Sequence, residues 1–426
     1  MLSPPIVLNE ASKAILYELE HGSDHLFVTG KAGTGKSTLL NTFRKTTKKN
    51  IVVLAPTGVA AINVKGQTIH SFFRIPPKLV QSEEITIMKG MGKIMKQLDI
   101  VIIDEISMVR ADLFDHIDYV LRYYRKSTEA FGGVRMILFG DLYQLPPVVA
   151  SDAEKFYFRE VYPHPYFFAA KVFQQSFQLY LIELTQVYRQ TDPLFVQLLD
   201  RIRRNDIEED DLDILNKHIF SGSTGDGIIT LCTTNAIADS INQQKLSALS
   251  TPMVSFQANL TGQFSSHIPP ADPLLNLKEG AQIMFLRNDT EQQYANGTLG
   301  VIKSLTTEKI VVDTLDGLHK SIEVSKVAWD MIRYQAGTDG SIKEEIVGSF
   351  KQYPIKLAWA VTIHKSQGAT FDRVVLDLGR GSFEFGQTYV ALSRCRTLEG
   401  IQLKKPIKPT DIMVDQRVID FYDSIR

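Results

Sequence analysis

The segment HLFVTGKAGTGKSTLLNTFRK, residues 25–45, constrains the chain more than any other. Within it Gly30-Lys31-Ala32-Gly33-Thr34-Gly35-Lys36-Ser37 fits GxxxxGK[ST], directly after an apolar run and directly before a helix-like one. A strand, a glycine-rich loop and a helix in that order turn backbone N–H groups inward around phosphates. The helix N-terminus adds positive potential, and the lysine reaches the β and γ oxygens. Gly30, Gly33, Thr34, Gly35, Lys36, Ser37 and Thr38 are therefore expected to hold a nucleotide, with Ser37 also a ligand of Mg²⁺.

Similar apolar runs recur as IVVLAPT (51–57), DIVIIDE (99–105), RMILFGD (135–141), GIITLCTTN (227–235), KLAWAVTIH (356–364) and RVVLDL (373–378). Runs that are apolar throughout belong to strands covered on both faces, so the fold class is α/β with parallel sheets. Between them, Ile106, Val109, Leu113, Ile117, Val120 and Tyr124 recur every three or four residues and predict a helix over 106–124. Open parallel sheets bind ligands at the carboxyl ends of their strands, where Thr57, Asp104, Asp141 and His364 fall.

A chain of 426 residues is expected to divide into several units. The stretch 291–351 opens at Asn296-Gly297 and continues in short β-branched segments, which predicts a small all-β insertion. The expected division is one α/β unit at 1–179 with a small insertion at about 65–82, and a second at 180–290 and 352–426. With 44% hydrophobic and 22% charged residues the composition excludes a mostly disordered chain. The formal net charge of −1 implies that any nucleic-acid partner is held by a local patch. No apolar run is long enough for a membrane span, and the opening residues lack a targeting pattern, so cytoplasmic residence is expected, on the nucleoid if the source is bacterial. Two cysteines, Cys232 and Cys395, are too few for a disulfide framework or a four-ligand zinc site.

Asp104-Glu105, closing the run DIVIIDE, supplies the second half of a phosphate site. Asp104 is expected to hold hydrated Mg²⁺ and Glu105 to take a proton from the attacking water. The guanine-reading N-K-x-D is missing, because Asn216-Lys217 is followed by His218-Ile219, so ATP is the expected nucleotide.

RMILFGDLYQLPPV (135–148), LTQVYRQ (184–190), TIHKSQGATFD (362–372) and YVALSRCR (389–396) resemble, in order, motifs III to VI of superfamily-one helicases. APTGVAAINVKGQTIHSFF (55–73) is similar to motif Ia with its extension, and DEISMVRADLFDHIDYVLR (104–122) to the characteristic segment of the Pif helicases. The resemblance, running from residue 8 to 396, is to the Pif family of DNA helicases, in the RecD-like 5′-to-3′ branch. It implies two RecA-like units, an SH3-like β insertion, ATP with Mg²⁺, and single-stranded, tailed-duplex or G-quadruplex DNA as partner, in a monomer with no obligate protein partner. Roles in repair, recombination and telomere maintenance are implied in the same way.

The resemblance further implies that Gln144 senses the γ-phosphate and that Arg189 and Arg394 are arginine fingers from the second unit. Tyr188 would stack on adenine, with a core tyrosine as the alternative, and Gly368 would bring backbone to the γ-phosphate. Ser12 stands where the family has an adenine-reading glutamine, which leaves Asn9 or backbone near Pro5 as a substitute and implies a looser nucleotide preference. For DNA, the resemblance and the residue chemistry together name Thr57, Gly58, Thr68, His70, Ser71, Phe72 and Arg74 in the first unit. The matching set in the second is Thr234, Asn235, Thr362, His364 and Lys365, with a core ring as the alternative for Phe72 and a structural hydrogen-bonder as that for His364. Lys78 and Arg74 would flank the strand-separating junction, or else belong to a solvated basic loop. Two other readings stay open: a RecD-type subunit of a nuclease complex, and a DNA-binding ATP switch that does not translocate.

Overall fold

The computed structural model describes residues 9–75, 91–149, 151–175, 177–190, 192–220, 227–264, 269–289 and 291–426. Its first unit is a six-stranded parallel sheet in the order β3-β2-β4-β5-β1-β6. The strands are β1 (His25–Gly30), β2 (Ile51–Ala55), β3 (Gln67–Thr68), β4 (Ile100–Ile103), β5 (Arg135–Phe139) and β6 (Leu179–Leu184). Every residue of β4 and β5 is buried, as continuous apolar runs require when helices cover both faces. The helix Ala111–Arg125 buries Leu113, Phe114, Ile117, Val120 and Leu121 along one stripe. Asp112 lies in its first turn and Arg122 and Arg125 in its last, matching the helix dipole. Residues 106–108, expected in the same helix, form a separate 3₁₀ turn.

Three parts of the expected division are corrected. First, β6 pairs with β1 over six residues, His25 opposite Leu179 through Gly30 opposite Leu184, so 180–184 belong to the first unit. Only Leu179 of β6 is fully buried, an edge pattern that lacks the continuous apolar character of its neighbours. Second, the β region begins near Met253, not 291. Gln282–Phe285 and Ile355–Leu357 pair with each other and complete a five-stranded antiparallel sheet with Leu299–Leu305, Ile310–Thr314 and Ile322–Val324. A long ribbon, Val327–Ala336 against Ile342–Gln352, pairs with Asn259–Gly262. Third, the C-terminal helix Gln416–Ser424 leaves the second unit and places Val418, Phe421 and Tyr422 in the core of the first. Phe421 stacks on Phe168 at 4.3 Å and Tyr422 on Tyr143 at 5.1 Å.

The second unit is a four-stranded parallel sheet in which β7 (Ile229–Cys232) lies between Ala360–Thr362 and Val374–Asp377, with Ile401–Leu403 outermost. Its core packs Leu198, Ile202, Leu231, Val361 and Leu392. The β ribbon reaches back to the first unit. Tyr334 is buried there, its hydroxyl accepting from Val53 N at 3.0 Å and its ring edge-on to Phe72 at 5.9 Å. Ile342 N donates to Asn50 Oδ1 at 3.2 Å, and Glu344 pairs with Arg44. The expected small insertion shows β3 and the short helix Ile69–Phe73; its remainder, with Lys78, lies outside the described residues.

Candidate nucleotide site and nucleic-acid groove

The loop after β1 opens into a cleft of about 950 Å³ between the two parallel sheets. Gly33, Thr34, Gly35, Lys36, Ser37 and Thr38 line it from the first unit, with Glu105 and Gln144. Gly368 and Arg394 line it from the second. Gly33 has φ +83°, and a Cβ there would stand 2.5 Å from Arg189 Cβ, so neither its backbone nor its surroundings admit a side chain. Gly30 ends β1 and its carbonyl accepts from Lys36 Nζ at 2.6 Å; Lys31 O accepts from the same ammonium at 3.1 Å. The ammonium is thereby held at the loop mouth, its pKa lowered by burial against the opposing pull of Asp141 and Glu105.

Asp104 and Glu105 follow β4. Burial, then the charge of Glu105, pushes the Asp104 carboxyl up to about 7, and burial raises Glu105 as well. Two adjacent, partly buried carboxylates concentrate negative charge at the cleft. A hard, oxygen-ligated Mg²⁺ that keeps several waters fits Asp104 with the Ser37 hydroxyl. Glu105 takes the left-handed conformation, φ +52°, which turns it out of line with β4; it lines the cleft. Among the described residues no cluster of three or more His, Cys, Asp or Glu forms a further metal centre.

Arg189 does not come from the second sheet. It lies in the linker after β6, where Tyr188 N donates to Gly33 O at 2.9 Å, and its guanidinium reaches Ser393 O at 3.2 Å. Arg394 is buried, donating from Nε to Val390 O at 2.9 Å and from Nη2 to Ser393 Oγ at 2.8 Å. Burial, then the neighbouring Arg189, lowers its pKa to about 9. Two guanidinium groups and Lys36 around one cleft make a site for several negative charges.

Four residues that sequence reasoning missed, Arg203, Tyr389, Tyr422 and Gln186, tie this site together, three of them around Asp141 and its strand end. Asp141, closing the run of β5, pairs with Arg203 at 3.0 Å and accepts from Tyr389 Oη and Gln144 Nε2 at 3.4 Å each. Arg203 lies 4.4 Å over the Tyr143 ring, and Tyr389 Oη accepts from Ala32 N at 3.0 Å. Tyr422 Oη accepts from Leu142 N and lies 2.8 Å from Thr29 Oγ1. Arg203 was detectable, because it stands four residues after Leu199 on the apolar stripe of the helix Pro193–Arg204. Gln186 is the fourth: its amide oxygen accepts from Asn9 Nδ2 at 2.7 Å and from Tyr188 Oη at 3.0 Å. Tyr188 is 56% exposed at the rim, which removes the core-tyrosine alternative.

The nucleic-acid candidates separate by accessibility. Thr57, Thr68 and Thr234 are N-caps, accepting from Ala60 N, Ser71 N and Ile237 N. Gly58 starts a short helix, Ser71 Oγ accepts from Gln67 Nε2, and His70 is partly covered, with its pKa lowered by burial. Phe72 is 6% exposed and packed beneath Tyr334, so it offers no ring face in this conformation. Thr362 is buried and caps Lys365 N. Thr234, Asn235 and Lys365 are exposed or rim-lying, and His364 Nε2 lies 2.9 Å from Glu384 Oε2. Arg74 lines a separate cavity of about 370 Å³ with Phe72, Ile94, Arg333 and Tyr334. No helix among the described residues is long and apolar enough to cross a membrane.

A glycine-rich phosphate loop on one parallel sheet, faced by arginines that bond a second, defines a two-unit P-loop protein of the RecA-like kind. Comparison with known proteins narrows the class. Residues 7–212 match the model of the PIF1-like helicase family. The ATP-dependent DNA helicase PIF1 of Danio rerio is 35% identical over 98% of this chain, which spans 64% of that relative's length. Bacteroides Pif1 in complex with ADP-AlF4 is 37% identical, with a TM-score of 0.91 over 98% of this chain and 97% of its own. The same comparison with Bacteroides Pif1 bound to ssDNA gives 38% identity and a TM-score of 0.70 over equal coverage. The chain belongs to the PIF1-like helicase family.

Proposed function

We propose that the chain is an ATP-driven helicase that moves 5′ to 3′ along single-stranded DNA and separates duplexes. The observation that carries this reading is the seating of Arg394, from the second unit, against Arg189 over the phosphate loop of the first. Charge building on a transferred phosphoryl group is neutralised only when the two units are close, so hydrolysis reports their relative position. In this reading Lys36 and the loop amides bind phosphates, Glu105 takes a proton from water, and Gln144 orients the γ-phosphate. Asp104 and Ser37 hold Mg²⁺, which adds positive charge to the phosphate oxygens when bound. Thr57, Gly58, Thr68 and Ser71 grip DNA from one unit, and Thr234, Asn235, His364 and Lys365 from the other.

The names of the relatives support DNA as the track. The lower TM-score against the ssDNA-bound neighbour supports a rearrangement on binding, and the β ribbon docked through Tyr334 is the part whose release we assign to it. A monomeric enzyme able to act on forks or G-quadruplexes belongs to the same proposal. The test is strand displacement by the isolated chain on duplexes carrying either a 5′ or a 3′ tail, with ATP turnover followed with and without single-stranded DNA. Unwinding from the 5′ tail and DNA-stimulated turnover are expected. Equal turnover with and without DNA would sink the motor.

A further inference from the structure

The loop after Val374–Asp377, residues 378–386, is held at several points yet displays two aromatic rings. Gly379 N donates to Asp377 Oδ1 at 2.9 Å, Ser382 N to Asp411 Oδ1 at 3.1 Å, and Phe383 N to Gln387 Oε1 at 3.3 Å. Gly386, φ +72°, closes it so tightly on the first unit that a Cβ would lie 2.4 Å from Tyr143 O and 2.6 Å from Gln144 O. On this fixed backbone Phe383 is 62% and Phe385 37% exposed. Glu384 between them turns inward. Its side chain is 19% exposed, and Oε2 stands 2.9 Å from His364 Nε2 with no aligned hydrogen bond from any described residue.

The loop also touches the other half of the second-unit grip. A Cβ on Gly379 would lie 3.7 Å from Thr233 Oγ1 and from Ile237 Cδ1, at the start of the helix that Thr234 caps. Arg380 is exposed and has no ion-pair partner among the described residues. Solvent-facing rings fixed beside a cation and between two polar strand ends make a platform on which bases of any sequence stack. A carboxylate oxygen at ion-pair distance from His364 carries the same charge and acceptor chemistry as a backbone phosphate oxygen.

We infer that residues 380–385 form a further wall of the single-stranded-DNA path, in which Phe383 and Phe385 stack on bases and Glu384 is an internal stand-in for a phosphate on His364. This rests on the DNA-binding reading above.

The test is equilibrium binding of a fluorescein-labelled oligo-dT to the full chain, to Phe383→Ala and to Glu384→Gln, by anisotropy at one salt concentration, with melting curves alongside. Phe383→Ala is expected to weaken binding about tenfold, the loss of one stacked base. Glu384→Gln, which keeps the shape and removes the competing charge, is expected to tighten it several-fold. Opposite directions from adjacent residues cannot come from a common folding defect. If the parent binds and Phe383→Ala equals it, or Glu384→Gln fails to tighten binding, the wall is refuted while the DNA reading stands. If the parent binds no oligonucleotide, the DNA reading falls and the wall with it.

Discussion

Arg203 carries its guanidinium to within 3.0 Å of the Asp141 carboxylate, and both side chains are sealed, at 1% and 0% exposure. One belongs to a helix packed in the core of the second unit and the other lies two residues past β5 of the first, so the ion pair is a bond between units. Removing one partner of such a pair leaves a buried charge without its counter-ion. Arg203→Met is expected to cost about 3–5 kcal/mol. Adding Asp141→Asn should recover part of that loss. A double-mutant cycle by urea unfolding checks this, and additive losses would show that the two groups do not interact.

Arg189 and Arg394 separate under mutation because only one of them is buried. Arg189→Ala is expected to lower DNA-stimulated turnover by about 10³-fold with little change in melting temperature. Arg394→Ala should lose turnover similarly and also melt earlier, since its bonds to Val390 O and Ser393 Oγ go with it. Steady-state ATP hydrolysis with paired thermal melts measures both effects. A retained rate in Arg189→Ala removes it from the phosphate site.

Asn9, Gln186 and Tyr188 bond one another beside Ser12 at the cleft rim, and we expect this group to meet the purine edge, the serine being shorter than a glutamine. Ser12→Gln should raise the preference for ATP over GTP, and Gln186→Ala should lower it. Each change is expected to be about tenfold in the ratio of kcat/KM, the worth of one hydrogen bond. Unchanged ratios in both variants would place base reading elsewhere.

Tyr334 fastens the β ribbon by filling a place in the first unit's core. Tyr334→Ala is expected to release it, seen as faster hydrogen exchange across 327–352. Affinity for single-stranded DNA should rise, because binding no longer has to undo the docked arrangement. Unchanged exchange would show that other contacts hold the ribbon.

His25 brings a pH dependence. Burial, then Arg135, lowers its pKa from 6.5 to about 4, and Nδ1 accepts from Met136 N at 3.0 Å, which requires the neutral ring. Between those values the unfolded chain binds the proton and the folded one does not, so stability falls as pH drops from 6.5 toward 4. The loss from this group is at most about 3 kcal/mol. His25→Gln should flatten that part of the unfolding profile.

The strands β1, β2, β4 and β5 were legible because their apolar runs are continuous, and the phosphate loop because its spacing and both flanks agree. The edge strand β6 was not, since exposure on one side makes LYLIEL resemble the start of a new unit. The β region was begun too late for a related reason. Residues 253–285 mix short strands with a helix-bearing stretch before them, and only pairing shows that Gln282–Phe285 belongs with Ile355–Leu357. Phe72 and Thr362 carry suitable chemistry, but their burial depends on Tyr334 and on the local cap at Lys365, which no local pattern reveals.

The return of the C-terminal helix to the first unit fixes how the two bodies are joined. The chain crosses outward once, between β6 and Pro193, and inward once, between Leu403 and Gln416. A single crossing is a ball joint, free to tilt about any direction. Two separated crossings are a door hung on a pair of pins, with one easy rotation and twisting resisted. The second body is thus an insertion into the first, and in the proposed motor each opening is expected to retrace the same arc.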